Sequence, residues 1–219
     1  FRAAREFVER LPAPVVFAPG NHDVPLWRVW ERTLAPFGAW RRHFARELER
    51  HFEDAELAIV AVTTAFPWTT KHGRLSAAQL GELDRRLAAA PPGAARVVVA
   101  HHPLVAAPEL GVEPVTAHAA AALALLAAHG VELVLSGHLH HGFVLPARPG
   151  SAPAVVHCGT SSSSRGRGGE ADAASLNWIE ISGDEIEVSR RRFEPVRGEF
   201  VEVERRRLPR LGRGGTAGR

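Results

Sequence analysis

The chain has 219 residues, 45% of them hydrophobic and 23% charged, which fits one ordinary globular domain with a sizeable core. The formal charge is +3, and residues 204–219, with six Arg against one Glu, more than account for it, so the body is not a basic nucleic-acid surface. A single cysteine, Cys158, rules out an internal disulfide and suits a reducing, cytoplasmic setting, and no apolar run approaches the roughly 18 residues of a membrane span.

Residues 1–11 (FRAAREFVERL) carry helical spacing and lead into a short apolar run at 15–18 (VVFA), read as a strand that ends in Gly20-Asn21-His22-Asp23. Residues 26–37 and 39–52 read as two helices divided by Gly38, and 56–62 as a strand. Ser76 followed three residues later by Gln79 is a capping-box pattern, predicting a helix over 77–90 that Pro91-Pro92-Gly93 stops. The strand 96–100 then runs into His101-His102-Pro103, and 104–115, with Pro108, Gly111 and Pro114, reads as a loop over that cluster. Thr116 is placed as the cap of a helix over 117–129, Gly130 as its stop, and the strand 132–135 delivers Gly137-His138-Leu139-His140.

The last third changes character. Strands are expected at 153–157, 176–181, 185–191 and 200–206, with a hairpin turn at Ser182-Gly183-Asp184 and a Ser/Gly/Arg loop over 161–172. Strand–helix alternation followed by a β-meander predicts an α/β fold, or α+β with mixed sheets. Residues 1–203 are taken as one domain and 204–219 as a disordered basic tail.

The chemistry is concentrated in three clusters, Asn21-His22-Asp23, His101-His102 and His138-Leu139-His140, each at the end of an apolar run. Loops at strand ends gather sites in α/β sheets. Neutral imidazoles with a hard oxygen donor suit a divalent transition metal. His138 and His140, two apart in what is read as an extended segment, would point the same way.

In order and spelling these clusters resemble the calcineurin-like metallophosphoesterase superfamily. Gly20 to Asp23 resembles its Gly-Asn-His-Asp/Glu block, His101 with Pro103 its His-x-Pro, and Gly137 to His140 its Gly-His-x-His. The family's earlier Asp-x-His and Gly-Asp blocks are not in this chain, which reads as a fragment without its first strands and, taken alone, as a poor catalyst. The resemblance implies a layered αββα sandwich and a dinuclear site of divalent ions, of the Mn, Fe, Zn or Co type. Asn21, His101 and His138 would hold one metal and His140 the other. His22 would touch the phosphate or the departing oxygen, oriented by Asp23. His102 and His141 are placed as supporting groups behind the ligands or at the rim, His157 as a substrate or supporting group, and Arg165 and Arg167 as solvated loop residues. His43, His51, His72, His118 and His129 are read as surface or helix residues.

The implied activity is hydrolysis of phosphate esters, phosphodiesters or phosphomonoesters, by hydroxide generated between two metals. Residues 160–165 and 176–181 (LNWIEI) are similar to the bacterial cyclic-nucleotide phosphodiesterase-like branch, implying a small phosphoester or nucleotide as substrate, with no nucleic acid and no membrane. Two other readings stay open: a DNA-repair-type nuclease of the same superfamily, and a non-catalytic scaffold that has lost its metals.

Overall fold

A computed structural model describes residues 1–45, 47–106, 116–148, 153–163, 165–167, 170 and 173–210. Three short helices come first, α1 (Arg2–Val8), α2 (Val29–Leu34) and α3 (Gly38–His43), with a 3-10 turn at Asn21–Asp23 between α1 and α2. There follow β1 (His51–Glu53), β2 (Leu57–Val62), β3 (Gly73–Arg74), α4 (Ala77–Ala89), β4 (Ala95–Ala100), β5 (Thr116–Ala117), α5 (Ala119–Ala128), β6 (Leu133–Ser136), β7 (Phe143–Leu145) and β8 (Ala154–His157). The described residues end in a meander of β9 (Ser175–Ser182), β10 (Glu185–Glu194) and β11 (Glu199–Pro209).

One sheet has six strands in the order β1-β2-β4-β6-β8-β7, and a second has three in the order β11-β10-β9. The inner four strands of the large sheet, β2, β4, β6 and β8, are mutually parallel, and β1 and β7 close its edges antiparallel. The parallel strands are almost wholly apolar because both of their faces are covered. Val60, Val98, Val134 and Val155 lie abreast across the register and face Leu83 and Leu87 of α4 and Leu126 of α5. Their neighbours Val97, Leu133 and Ala154 point the other way, onto Ile186, Val188 and Leu208 of the small sheet. Among the described residues the layers therefore run helices, large sheet, small sheet. This is a mixed α/β arrangement with parallel and antiparallel strands.

Sequence patterning accounts for most of these elements. Ser76 and Gln79 form the capping box at the start of α4, with Gln79 N–H donating to Ser76 Oγ and Ser76 N–H to Gln79 Oε1. Gly130, at φ +61°, follows α5 as its stop, and Gly183, at φ +49°, turns β9 into β10.

Several expectations are corrected. Residues 15–18 form no strand ladder; an apolar run becomes a strand only where a neighbour supplies hydrogen bonds. The helix expected over 39–52 ends at His43, because His51–Glu53 pairs with β2 instead. Thr116 does not cap α5 but pairs with Gly73 in a two-stranded ladder, and His118 in a left-handed conformation precedes the helix. Phe143–Leu145 adds a strand that was not anticipated. Residues 204–209 belong to β11 and not to a tail, and Arg210 is fixed by an ion pair to Glu132. Residues 107–115 of the expected loop, five positions within 161–172, and 211–219 lie outside the described residues.

Candidate metal centre

The parallel strands bring the clusters together. β4 and β6 are neighbours in register, with Ala100 opposite Ser136, so the residues that follow them, His101 and Gly137-His138, leave the sheet side by side. Gly137 N–H donates to the His101 carbonyl, 3.1 Å, which ties the two exits. Asn21 reaches the same place from the 3-10 turn. Its Oδ1 accepts from His101 Nε2 at 3.0 Å and from His138 Nδ1 at 3.3 Å. Its Nδ2 donates to the Thr70 carbonyl, 2.8 Å, which fixes the amide so that the oxygen faces the imidazoles.

Gly20 is required by space. Its backbone is extended, but a Cβ there would stand 2.6 Å from the His101 ring. The Gly137–His140 segment is a turn and not an extended run: His138 and His140 have φ of 73° and 57°. Left-handed backbone at two non-glycine residues costs on the order of 1–3 kcal/mol each, and such strain gathers at functional sites. The predicted reason for the common orientation of these two histidines is thus corrected. His138 turns to Asn21, while His140 Nδ1–H donates to the Arg165 carbonyl at 3.0 Å.

Of the two places expected for His102, behind the ligands or at the rim, the structure excludes the rim, since the residue is fully buried. Thr64 Oγ1 lies 2.8 Å from its Nδ1 and accepts from its backbone N–H at 3.1 Å. Its Nε2 is buried without a hydrogen-bond partner. Ligand nitrogens of His101, His102 and His138 all lie within 4.8 Å of one another. An orphaned buried nitrogen beside two imidazoles and an amide oxygen is the donor set a borderline divalent cation takes. The residues present therefore fit a metal.

Burial, and then His138, His22 and His140 nearby, hold the His101 imidazole down to about 3. His102 is lowered to about 3 by burial and then His101, and His138 to about 4 by burial and then His140. These rings are neutral at pH 7, which leaves lone pairs for a cation.

His22 is exposed on the 3-10 turn, close enough to act electrostatically on His101 and His138. Asp23 does not hydrogen-bond it. The Asp23 carboxylate accepts from Gly20 N–H at 2.7 Å and so braces the turn, and burial raises its pKa. His72, read as a surface residue, also lies near enough to His102 and His138 to influence both. His157 is buried, stacks on Phe143 at 4.4 Å, and is lowered to about 4, chiefly by burial. His141 packs edge-on to Phe143. His43 stacks on Phe1, while His51, His118 and His129 bond to Arg86, the Leu75 carbonyl and Asp84. Thr64, Thr70 and Glu170 carried no motif and were missed by sequence reasoning.

A model of the calcineurin-like phosphoesterase family matches residues 2–142. The chain belongs to that family. No curated protein matches. Among solved structures, a dimetal phosphatase from Danio rerio aligns with TM-score 0.53 and 14% identity over 74% of this chain and 60% of its own. The purple acid phosphatase PPD1 from yellow lupin seeds aligns with TM-score 0.60 and 12% identity over 90% of this chain and 41% of its own. At these identities the likeness shows the fold, and the chain spans less than two thirds of either phosphatase. Among the described residues, no helix is long and apolar enough to cross a membrane.

Proposed function

We propose that this calcineurin-like phosphoesterase hydrolyses a small phosphate ester, in preference a phosphodiester or nucleotide, in the cytoplasm. Asn21, His101 and His138 would hold one divalent cation and His140 a second, with His102 Nε2 in reserve behind the first. The observation that carries this reading is the meeting of Asn21 Oδ1 with His101 and His138. Two imidazole nitrogens converging on one amide oxygen mark the place where a cation would sit, each ring then offering that nitrogen's lone pair with its proton on the other ring nitrogen.

Bound cations would supply a nucleophile at neutral pH and charge to neutralise phosphoryl oxygens. The chain's residues do the rest. His22, exposed beside the cluster, hydrogen-bonds the phosphate or gives a proton to the departing oxygen. Asp23 keeps His22 in place indirectly, by fixing the turn through Gly20. Thr70 fixes the Asn21 amide.

The test uses the full gene product, with whatever precedes Phe1, supplied with Mn²⁺ and an aryl phosphodiester. Turnover is expected, is lost on chelation, and is lost in His138→Ala. Metal-independent turnover, or an undiminished rate in His138→Ala, overturns the reading.

A further inference from the structure

We propose that Glu170 is a positioning residue for His140. It sits in the stretch read from sequence as a solvated Ser/Gly/Arg loop, yet its side chain is only 2% exposed. The carboxylate accepts from Gly142 N–H at 2.9 Å, from Ser175 Oγ–H at 2.9 Å and from Arg190 at 2.7 Å. Arg190 is held in turn by Glu204 of β11, 2.8 Å away. The socket is made by glycines: a Cβ at Gly142 would come within 2.8 Å of Glu170 Oε1, and one at Gly159 or Gly166 would collide with the Glu170 carboxylate or carbonyl. A buried carboxylate with three donors, a paired arginine among them, specifies one arrangement of the backbone around it.

That backbone is the one His140 depends on. Glu170 N–H donates to the Arg167 carbonyl at 3.1 Å, and Arg167 N–H to the His140 carbonyl at 2.8 Å. The Arg165 carbonyl accepts from His140 Nδ1–H at 3.0 Å. Gly142, on the other side of His140, is pinned by the Glu170 carboxylate itself. Glu170 therefore clamps the chain just after His140 and also the loop that receives the His140 ring. A histidine whose Nδ1–H is committed to a carbonyl is fixed as one tautomer, with the Nε2 lone pair left to face a cation. The purpose of the clamp rests on the ligand role proposed for His140, but the tautomer does not, so its measurement stands or falls apart from phosphoester chemistry.

Nitrogen-15 shifts of the histidine rings read the tautomer directly, with His140→Asn supplying the assignment. The metal-free protein is expected to show neutral His140 as the Nδ1–H form. In Glu170→Ala that signature is expected to give way to a mixture, and Glu170→Gln, which keeps an acceptor for Gly142, is expected to restore most of it. A folded Glu170→Ala protein with the His140 signature unchanged overturns the proposal, whatever happens to its melting temperature. Should Glu170→Ala fail to fold, hydrogen exchange on the unmutated protein decides. The amides of Gly142, Arg167 and Glu170 are expected to be protected and to open together. Free exchange at Arg167 beside a protected Gly142 overturns the proposal.

Discussion

At Gly20 the backbone and the His101 ring share a space that one methyl group would fill. Gly20→Ala is expected to push His101 off Asn21 and to weaken divalent-ion binding by about tenfold or more, read by calorimetric titration. The roles assigned to neighbouring residues separate in the same assay. His22→Ala in the full gene product is expected to lower turnover with metal content nearly intact, whereas His138→Ala is expected to lower metal content itself, as elemental analysis would show. Equal metal loss in the two variants would refute the assignment. His157 supplies the pH dependence. Its pKa falls from 6.5 to about 4 on folding, chiefly through burial. The unfolded chain binds the proton first as pH drops, so the contribution is intact above 6.5 and is lost as pH falls toward about 4. The whole window is worth on the order of 3 kcal/mol. His101, His102 and His138 shift in the same direction. Metal-free protein is therefore expected to lose urea resistance steadily between pH 6.5 and 4, and His157→Gln to make that slope shallower. An unchanged slope would show that His157 does not stay neutral on folding.

Among the elements, α4 is the one whose sequence signal and structure agree most closely. Ser76→Ala removes the acceptor for Gln79 N–H and is expected to cost about 1 kcal/mol, measured by denaturant titration. Gln79 has a further duty, since its amide also reaches Glu49 and the Thr63 carbonyl. β4, β6 and β8 were legible because burial on both faces leaves an uninterrupted apolar run. The same signal misled at residues 15–18, where no ladder partner is present among the described residues. β11 was half hidden for the opposite reason. Its 205–207 arginines look like a solvated tail until β10 is set beside them and Glu187 is seen to pair with both Arg205 and Arg207. The metal-type residues Asn21, His101 and His138 were legible because spacing and neighbours mark them. Thr64, Thr70 and Glu170 were not, because tertiary contacts alone give them their places, and no local pattern records those contacts.

Among the described residues, the small sheet meets the large one through apolar packing, the Asn177 side-chain hydrogen bond to the His157 carbonyl and the buried Arg210–Glu132 ion pair. Arg210 clasps Glu132 through two hydrogen bonds of 2.8 Å, with the side chains 5% and 2% exposed. Arg210→Ala would strand the Glu132 carboxylate in the interior and is expected to cost about 3–5 kcal/mol, read as a lowered denaturation midpoint. The double replacement Glu132→Gln with Arg210→Met, which removes the charges together, is expected to recover part of that loss.

The partners of that pair stand 78 positions apart in the chain. Closing so long a segment is entropically unfavourable early, whereas the β9–β10–β11 hairpins close over short distances. The clasp therefore belongs to the final step of folding, after the barrier, and its energy acts on escape from the native state more than on arrival there. In stopped-flow kinetics Arg210→Ala is expected to raise the unfolding limb and to leave the refolding limb almost unmoved. The lifetime of the folded protein is set in large part from the last described residue of the chain.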